Sequence, residues 1–244
     1  MPALPSPAAC PSRSMRGVVR GLAAVAILLS AIAAMIGWRA AEPLGDYTIV
    51  YIHVPAAWLS LLLYGVAVAA AAATVQGPAL LPASTLAAIA PVGAATAFVA
   101  LWTGLTSQQA RGAWWGFDAR LICELVLLLL FVGLMALRHG AREPARADRA
   151  GAVLVLTGAL NIPIIYLSVD WWHTLHERAA ATVGRSPLVT GAMALMTLAS
   201  CLYAGAVVLA RLEAFMRERE AGTRNFGSAR AEGGNARTPA KEQQ

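Results

Sequence analysis

Charge is scarce in this sequence. Of its 244 residues only 13% are Asp, Glu, Lys or Arg, and 58% are hydrophobic, whereas an ordinary soluble domain is about a quarter charged. That balance points to lipid as the solvent, and the length suits one membrane domain without a second globular one. Cysteine is sparse too. Cys10, Cys123 and Cys201 lie far apart and form no CxxC pair, so a disulfide framework, a zinc site and a dithiol redox motif are all unsupported. The net charge of +6 raises the question of nucleic acid, but there is no basic patch with interleaved aromatics. The basic residues fall between apolar runs and in the C-terminal tail, as membrane orientation signals do.

What is present is a set of six long apolar stretches, near 18–38, 54–75, 84–106, 120–138, 150–168 and 187–210. Each is long enough for a hydrocarbon core of about 30 Å, which takes roughly 20 helical residues. Backbone groups in lipid must be satisfied within the segment, so these runs predict helices and an all-α, polytopic fold of six spans. Pro91 and Gly93 fall inside the third run, where a kink is expected. The first run resembles a secretory signal, with Arg13, Arg16 and Arg20 ahead of it and Ala40-Ala41 behind. It is longer than an h-region, however, and Arg39 fits a cleavage site poorly, so an uncleaved span is expected. Residues 1–17 read as a disordered cytoplasmic extension, with Met15 an alternative translation start. Residues 18–210 form the membrane domain, and 211–244 a largely disordered cytoplasmic tail.

Arginine and lysine set the orientation. The N-terminus, the 76–83 and 138–149 connections and the tail together hold Arg13, Arg16, Arg20, Arg138, Arg142, Arg146, Arg149, Arg211, Arg217, Arg219, Arg224, Arg230, Arg237 and Lys241. The remaining connections hold Arg39, Arg111, Arg120, Arg178 and Arg185. The excess places both termini in the cytoplasm, and the 39–53, 107–119 and 169–186 connections outside.

All seven tryptophans, Trp38, Trp58, Trp102, Trp114, Trp115, Trp171 and Trp172, map to that outer side. One reading is an interfacial belt, but a belt decorates both faces. The other is a platform on which the Trp114-Trp115 and Trp171-Trp172 pairs stack a flat apolar ligand. His53 enters the second span within Tyr-Ile-His-Val-Pro-Ala-Ala-Trp, and His176 follows the fifth within Val-Asp-Trp-Trp-His-Thr-Leu-His-Glu. Each alone reads as an ordinary polar loop residue. Together, over an aromatic shelf, they suit the two axial positions of a haem iron. His173, one helical turn from His176, competes with it; His139 lies on the cytoplasmic side. Asp118 and Arg120 flank the start of the fourth span, and Glu124 stands at i+4 from Arg120. They read either as a cap and ion pair that orient the span, or as a site where Arg111 or Arg120 meets a propionate.

Three blocks, Tyr51 to Trp58, Trp114 to Leu125 and Asn161 to His176, resemble the CcmC-type haem exporter proteins of cytochrome c maturation. The six-span layout extends the resemblance over about 20–210. It implies a multi-pass protein of the bacterial inner membrane that transiently holds non-covalent haem b on the periplasmic side. The positions matching the family's axial ligands are His53 and His176. Trp114, Trp115, Phe117, Asp118 and Arg120 form the tryptophan-rich loop around the haem, with Trp171 and Trp172 beside it. The implied partners are a periplasmic haem chaperone of the CcmE type, a single-span CcmD-type subunit, ATP-binding-cassette subunits and membrane lipid, with no nucleic acid and no enzyme activity. The chain departs from the family's pattern at Arg111 and Phe117, where that pattern has tryptophan, and at Ile122-Cys123, where it has Thr-Ser. Phe117 keeps a stacking ring and loses the indole donor.

Two other classes fit less well. A membrane b-type cytochrome oxidoreductase would place histidines inside its helices, and no span here has an interior histidine. A transporter tends to carry ionisable groups near mid-membrane, whereas apart from Glu124, near the outer end of the fourth span, the spans are almost free of charge.

Overall fold

The computed structural model describes residues 13–39, 49–77, 80–109, 118–140, 143–172 and 186–235. Among these the regular structure is entirely helical: α1 (Arg13–Arg39), α2 (Val50–Gln76), α3 (Leu80–Gln109), α4 (Ala119–Gly140), α5 (Pro144–Gly158), α6 (Asn161–Trp172) and α7 (Pro187–Asn235). Six segments are long and apolar enough to cross a membrane: Met15–Arg39, Val50–Gln76, Leu80–Ser107, Ala119–Gly140, Pro144–Leu167 and Pro187–Arg219. They coincide with the six expected spans and mostly overrun them by a turn or so. Helical hydrogen bonding continues into the interface, because ending it inside hydrocarbon would strand backbone donors and acceptors. Pro91 is carried inside one uninterrupted α3. The last helix runs past 210 to Asn235, through part of the stretch expected as a tail. Residues 1–12 and 236–244 lie outside the described residues.

The fifth span differs from the single helix expected. It is interrupted between α5 and α6, and the cause is local. Pro163 has no N–H to give the carbonyl of Ala159, four residues back. That carbonyl accepts instead from Ile162 N–H at 3.1 Å, and Ala159 N–H bonds the Leu156 carbonyl at 3.2 Å. Just after the break, the buried Asn161 amide donates across to the Cys123 carbonyl of α4 at 2.9 Å. The broken helix is thereby tied to its neighbour.

Helix α2 packs against α3, α5 and α7, while α4 packs on α3, α5 and α6, and α1 lies along α7. Apolar burial drives this assembly weakly, since lipid is as apolar as a leucine side chain; close fit and internal hydrogen bonds matter more. Tyr64, fully buried on α2, donates its hydroxyl to the Val155 carbonyl at 2.9 Å and meets Phe131 edge-on at 5.4 Å. Glycines make the room. A Cβ on Gly93 would collide with the Phe131 ring, one on Gly158 with the Tyr64 hydroxyl, and one on Gly151 would stand 2.6 Å from Leu134 Cδ1.

Ion pairs gather at one end of the bundle. Asp148 of α5, buried, accepts from Arg138 of α4 at 2.7 Å and from Arg219 of α7 at 2.9 Å. Arg138 also reaches the Ala83 carbonyl of α3 at 3.2 Å. One carboxylate thus fastens four helices where the spans leave the apolar zone.

Two substitutions check this packing. Gly93→Leu should lower the thermal midpoint in detergent, at a cost of about 1–3 kcal/mol for overpacking, and Phe131→Ala in the same chain should recover part of the loss. Asp148→Ala strands two guanidinium groups and should cost about 3 kcal/mol or more. A neutral result for Asp148→Ala in chemical denaturation would show that the cluster does not hold the helices.

Candidate functional site

The opposite end of the bundle holds the polar groups expected to bind. His53 lies in the first turn of α2, facing the last part of α3. Its Nδ1 is 3.0 Å from the Ala100 carbonyl and 3.1 Å from Thr103 Oγ1. A carbonyl can only accept, so the proton belongs on Nδ1. Thr103 agrees with this, since its own hydroxyl donates to the Val99 carbonyl at 2.6 Å and its oxygen is left to accept. With the proton on Nδ1, Nε2 is the nitrogen that a neutral ring would offer to a metal. Fixing the tautomer through the other ring nitrogen is the usual second support of a ligating histidine. Gly104 gives the ring its space: an added Cβ would collide with Leu121 and stand 3.1 Å from His53 Cε1.

Helix α4 starts beside it. Asp118 is buried at the N-cap, and its carboxylate accepts from Arg120 N–H at 2.9 Å while its carbonyl accepts from Leu121 and Ile122 N–H. This is the capping expected of that residue, and it satisfies donors that a helix end would otherwise leave unpaired. Glu124 is buried one turn further on. Spacing pairs it with Arg120, but its short hydrogen bond comes from Ser60 of α2, at 2.8 Å. Arg120 shares a cavity with it: His53, Trp58, Arg120, Leu121, Glu124 and Ile165 are among the residues around a space of about 30 Å³, room enough for ordered water.

The expected residues divide plainly. His53 and Arg120 line one cavity, and Asp118 caps the helix that carries Arg120. Trp114, Trp115, Phe117, His173 and His176 lie outside the described residues, as does Arg111; Trp171 and Trp172 close α6, and only their backbone is described. Three tryptophans are seen in full. Trp38 is 85% exposed, Trp102 is exposed and stacks on Phe98 at 6.3 Å, and half-exposed Trp58 meets Tyr166 edge-on at 6.3 Å. Outward-facing indoles at this end of the spans have the character of an interfacial belt. Sequence reading missed Thr103, Gly104, Ser60 and Asn161, because small polar residues in apolar helices give no periodic signal. Glu124, an acid inside a span, was the one visible sign of a polar pocket there.

Fold and site together define a polytopic helical membrane protein with an imidazole held through Nδ1 and a buried polar pocket at one end of its bundle. Residues 4–226 match the family model described as heme exporter protein C, and the chain belongs to that family. Among similar proteins is "Heme exporter protein C" of Bradyrhizobium diazoefficiens, 44% identical over 170 residues, which are 67% of this chain and 64% of that protein. The protein of the same name in Escherichia coli (strain K12) is 44% identical over 133 residues, 54% of each chain. A putative cytochrome c biosynthesis ccmC-like mitochondrial protein of Marchantia polymorpha is 34% identical over 158 residues, 64% of this chain and 65% of its own. The chain thus matches between about half and two thirds of the length of these relatives.

The tautomer is directly testable. With ¹⁵N-labelled histidine and no ligand, His53 should show the neutral Nδ1–H form, and Thr103→Val should leave it so, since the Ala100 carbonyl remains. A proton on Nε2 instead would remove the argument for a pre-oriented ligand.

Proposed function

We propose that this protein holds haem at the outer face of the inner membrane and presents it to a periplasmic haem chaperone for cytochrome c maturation. The observation that carries the reading is the His53 imidazole, anchored through Nδ1 to α3 and so turned into a metal-ligating form. Family membership supports haem as the cargo. The excess of Arg and Lys at the far end of the bundle supports cytoplasmic termini and a periplasmic site.

In this reading His53 and His176 take the two axial positions of a non-covalently bound haem b. Trp114, Trp115 and Phe117 supply flat apolar surface, with Trp171 and Trp172 flanking it. Asp118 holds the start of α4 so that Arg120 stands beside His53, where its guanidinium fork suits a propionate carboxylate. Glu124 and Ser60 keep the pocket under Arg120 polar. The protein is a binding and transport component rather than an enzyme. Its ligation must release, so the His53 bond to haem is weaker than in an electron-transfer cytochrome. A CcmE-type chaperone receives the haem, and a single-span CcmD-type subunit and ATP-binding-cassette subunits complete the assembly.

Visible spectra test the assignment. Protein purified from haem-replete cells with the co-expressed chaperone should carry a low-spin haem with two histidine ligands. His53→Ala or His176→Ala should abolish that spectrum, and His173→Ala should leave it unchanged. Wild-type protein without haem under these conditions would sink the haem reading.

A further inference from the structure

On the flank of the bundle away from the His53 pocket, α1, α2, α3 and α7 enclose a groove of about 550 Å³. That volume is within the usual range for a bound small molecule, about 300–1,000 Å³. Its walls are mostly apolar, with the hydroxyls of Ser30, Thr96 and Ser200 among them. Pro55, Val92, Ala95, Ala204 and Val207 line it, and Tyr51 closes the end nearer α2's start. Ile52, Ala95, Val99 and Tyr203 are exposed, so in a bilayer the groove opens sideways to lipid. Along α7 it runs from Met196 to Arg211, about 22 Å at the helical rise, a large part of the hydrocarbon thickness.

Arg211 makes this more than a furrow between helices. It is half-buried, its Nε is buried with no hydrogen-bond partner, and among the described residues it has no ion-pair partner. Its guanidinium lies over the Phe215 ring, 5.7 Å from the centroid. The neighbouring cations on α7 are committed, Arg217 to Glu213 and Arg219 to Asp148. The apolar run of α7 ends at Ala210, so Arg211 stands where the helix leaves hydrocarbon. A half-buried cation there, with no carboxylate in ion-pair contact among the described residues, calls for an anion at the boundary between headgroup and hydrocarbon.

We propose that the groove is a binding site for one anionic phospholipid of the leaflet at the Arg211 end. Its phosphate pairs with the Arg211 guanidinium and one acyl chain lies in the groove toward Tyr51. The apolar walls accept the chain, and the fork geometry suits phosphate oxygens. An apolar helix of another subunit in the same groove would leave Arg211 uncompensated. The groove wall has no imidazole, unlike the His53 pocket, so the site is separate from the proposed haem site and does not rest on it.

The test uses the full chain, purified in detergent, stripped of lipid, and titrated with phosphatidylglycerol or phosphatidylcholine of identical chains while bound lipid is counted by native mass spectrometry. Phosphatidylglycerol should bind once and roughly tenfold tighter, because the choline of phosphatidylcholine offsets the phosphate charge that both lipids present. Arg211→Gln should remove that preference and leave weak, unselective binding. Ala95→Phe, which fills the groove but keeps the charge, should abolish the single tight site and serves if Arg211→Gln does not fold. Equal affinity for the two lipids in wild type, or an intact preference in both variants, overturns the proposal. So does haemin displacing phosphatidylglycerol from His53→Ala protein in an Arg211-dependent way, because the groove would then be a haem site.

Discussion

In a bilayer, helices gain little by burying apolar surface on one another, because the lipid they leave is equally apolar. What holds this bundle is therefore close approach, and the hydrogen bonds that close approach permits. Tyr64 on α2 is the central case. Its hydroxyl reaches the Val155 carbonyl only because Gly158 has no side chain to block it, and its ring meets Phe131 only because Gly93 leaves that ring a place. The packing of α2, α3, α4 and α5 follows from these contacts, and the two ends of the bundle are positioned by them.

The ends have different polar characters. At one, Asp148 neutralises two arginines and collects four helices. At the other, polar groups serve orientation: Asp118 caps α4, Ser60 holds Glu124, and Ala100 with Thr103 holds His53. A ring fixed through one nitrogen exchanges its ligand at the other without reorganising the protein. That property fits the proposed role of this histidine in holding and releasing haem. The break after Gly158 belongs to the same design. It lets Asn161 reach α4 just below the pocket, so the segment leading to the second histidine-bearing loop is tied to the helix that carries Arg120 and Glu124.

Much of this was legible in the chain. Twenty-residue apolar runs have one stable form in lipid, so six helices and their approximate limits follow from hydropathy alone. Asp118 was legible as a cap because capping depends on its position beside the next helix. His53 was legible as a candidate only through its place at the end of a span and the motif around it. Other elements were misjudged or unseen. Pro91 lies inside an uninterrupted α3, while the break before Pro163, a residue visible in the chain, was not read from it. Spacing paired Glu124 with Arg120, whose charge does act on it, but gave no sign of the hydrogen bond from Ser60, 64 positions away.

By itself the sequence determined what lipid enforces: helical spans, their number, the end at which tryptophan collects and the end at which arginine does. These depend on transfer between water and hydrocarbon, which each segment undergoes separately. Only the tertiary structure decided which carbonyl receives the His53 proton, which hydroxyl meets Glu124, and that Arg211 ends a groove with no ion-pair partner among the described residues. Those depend on which helix lies against which, and in a membrane that choice is made by a few glycines and buried polar atoms rather than by any pattern along the chain.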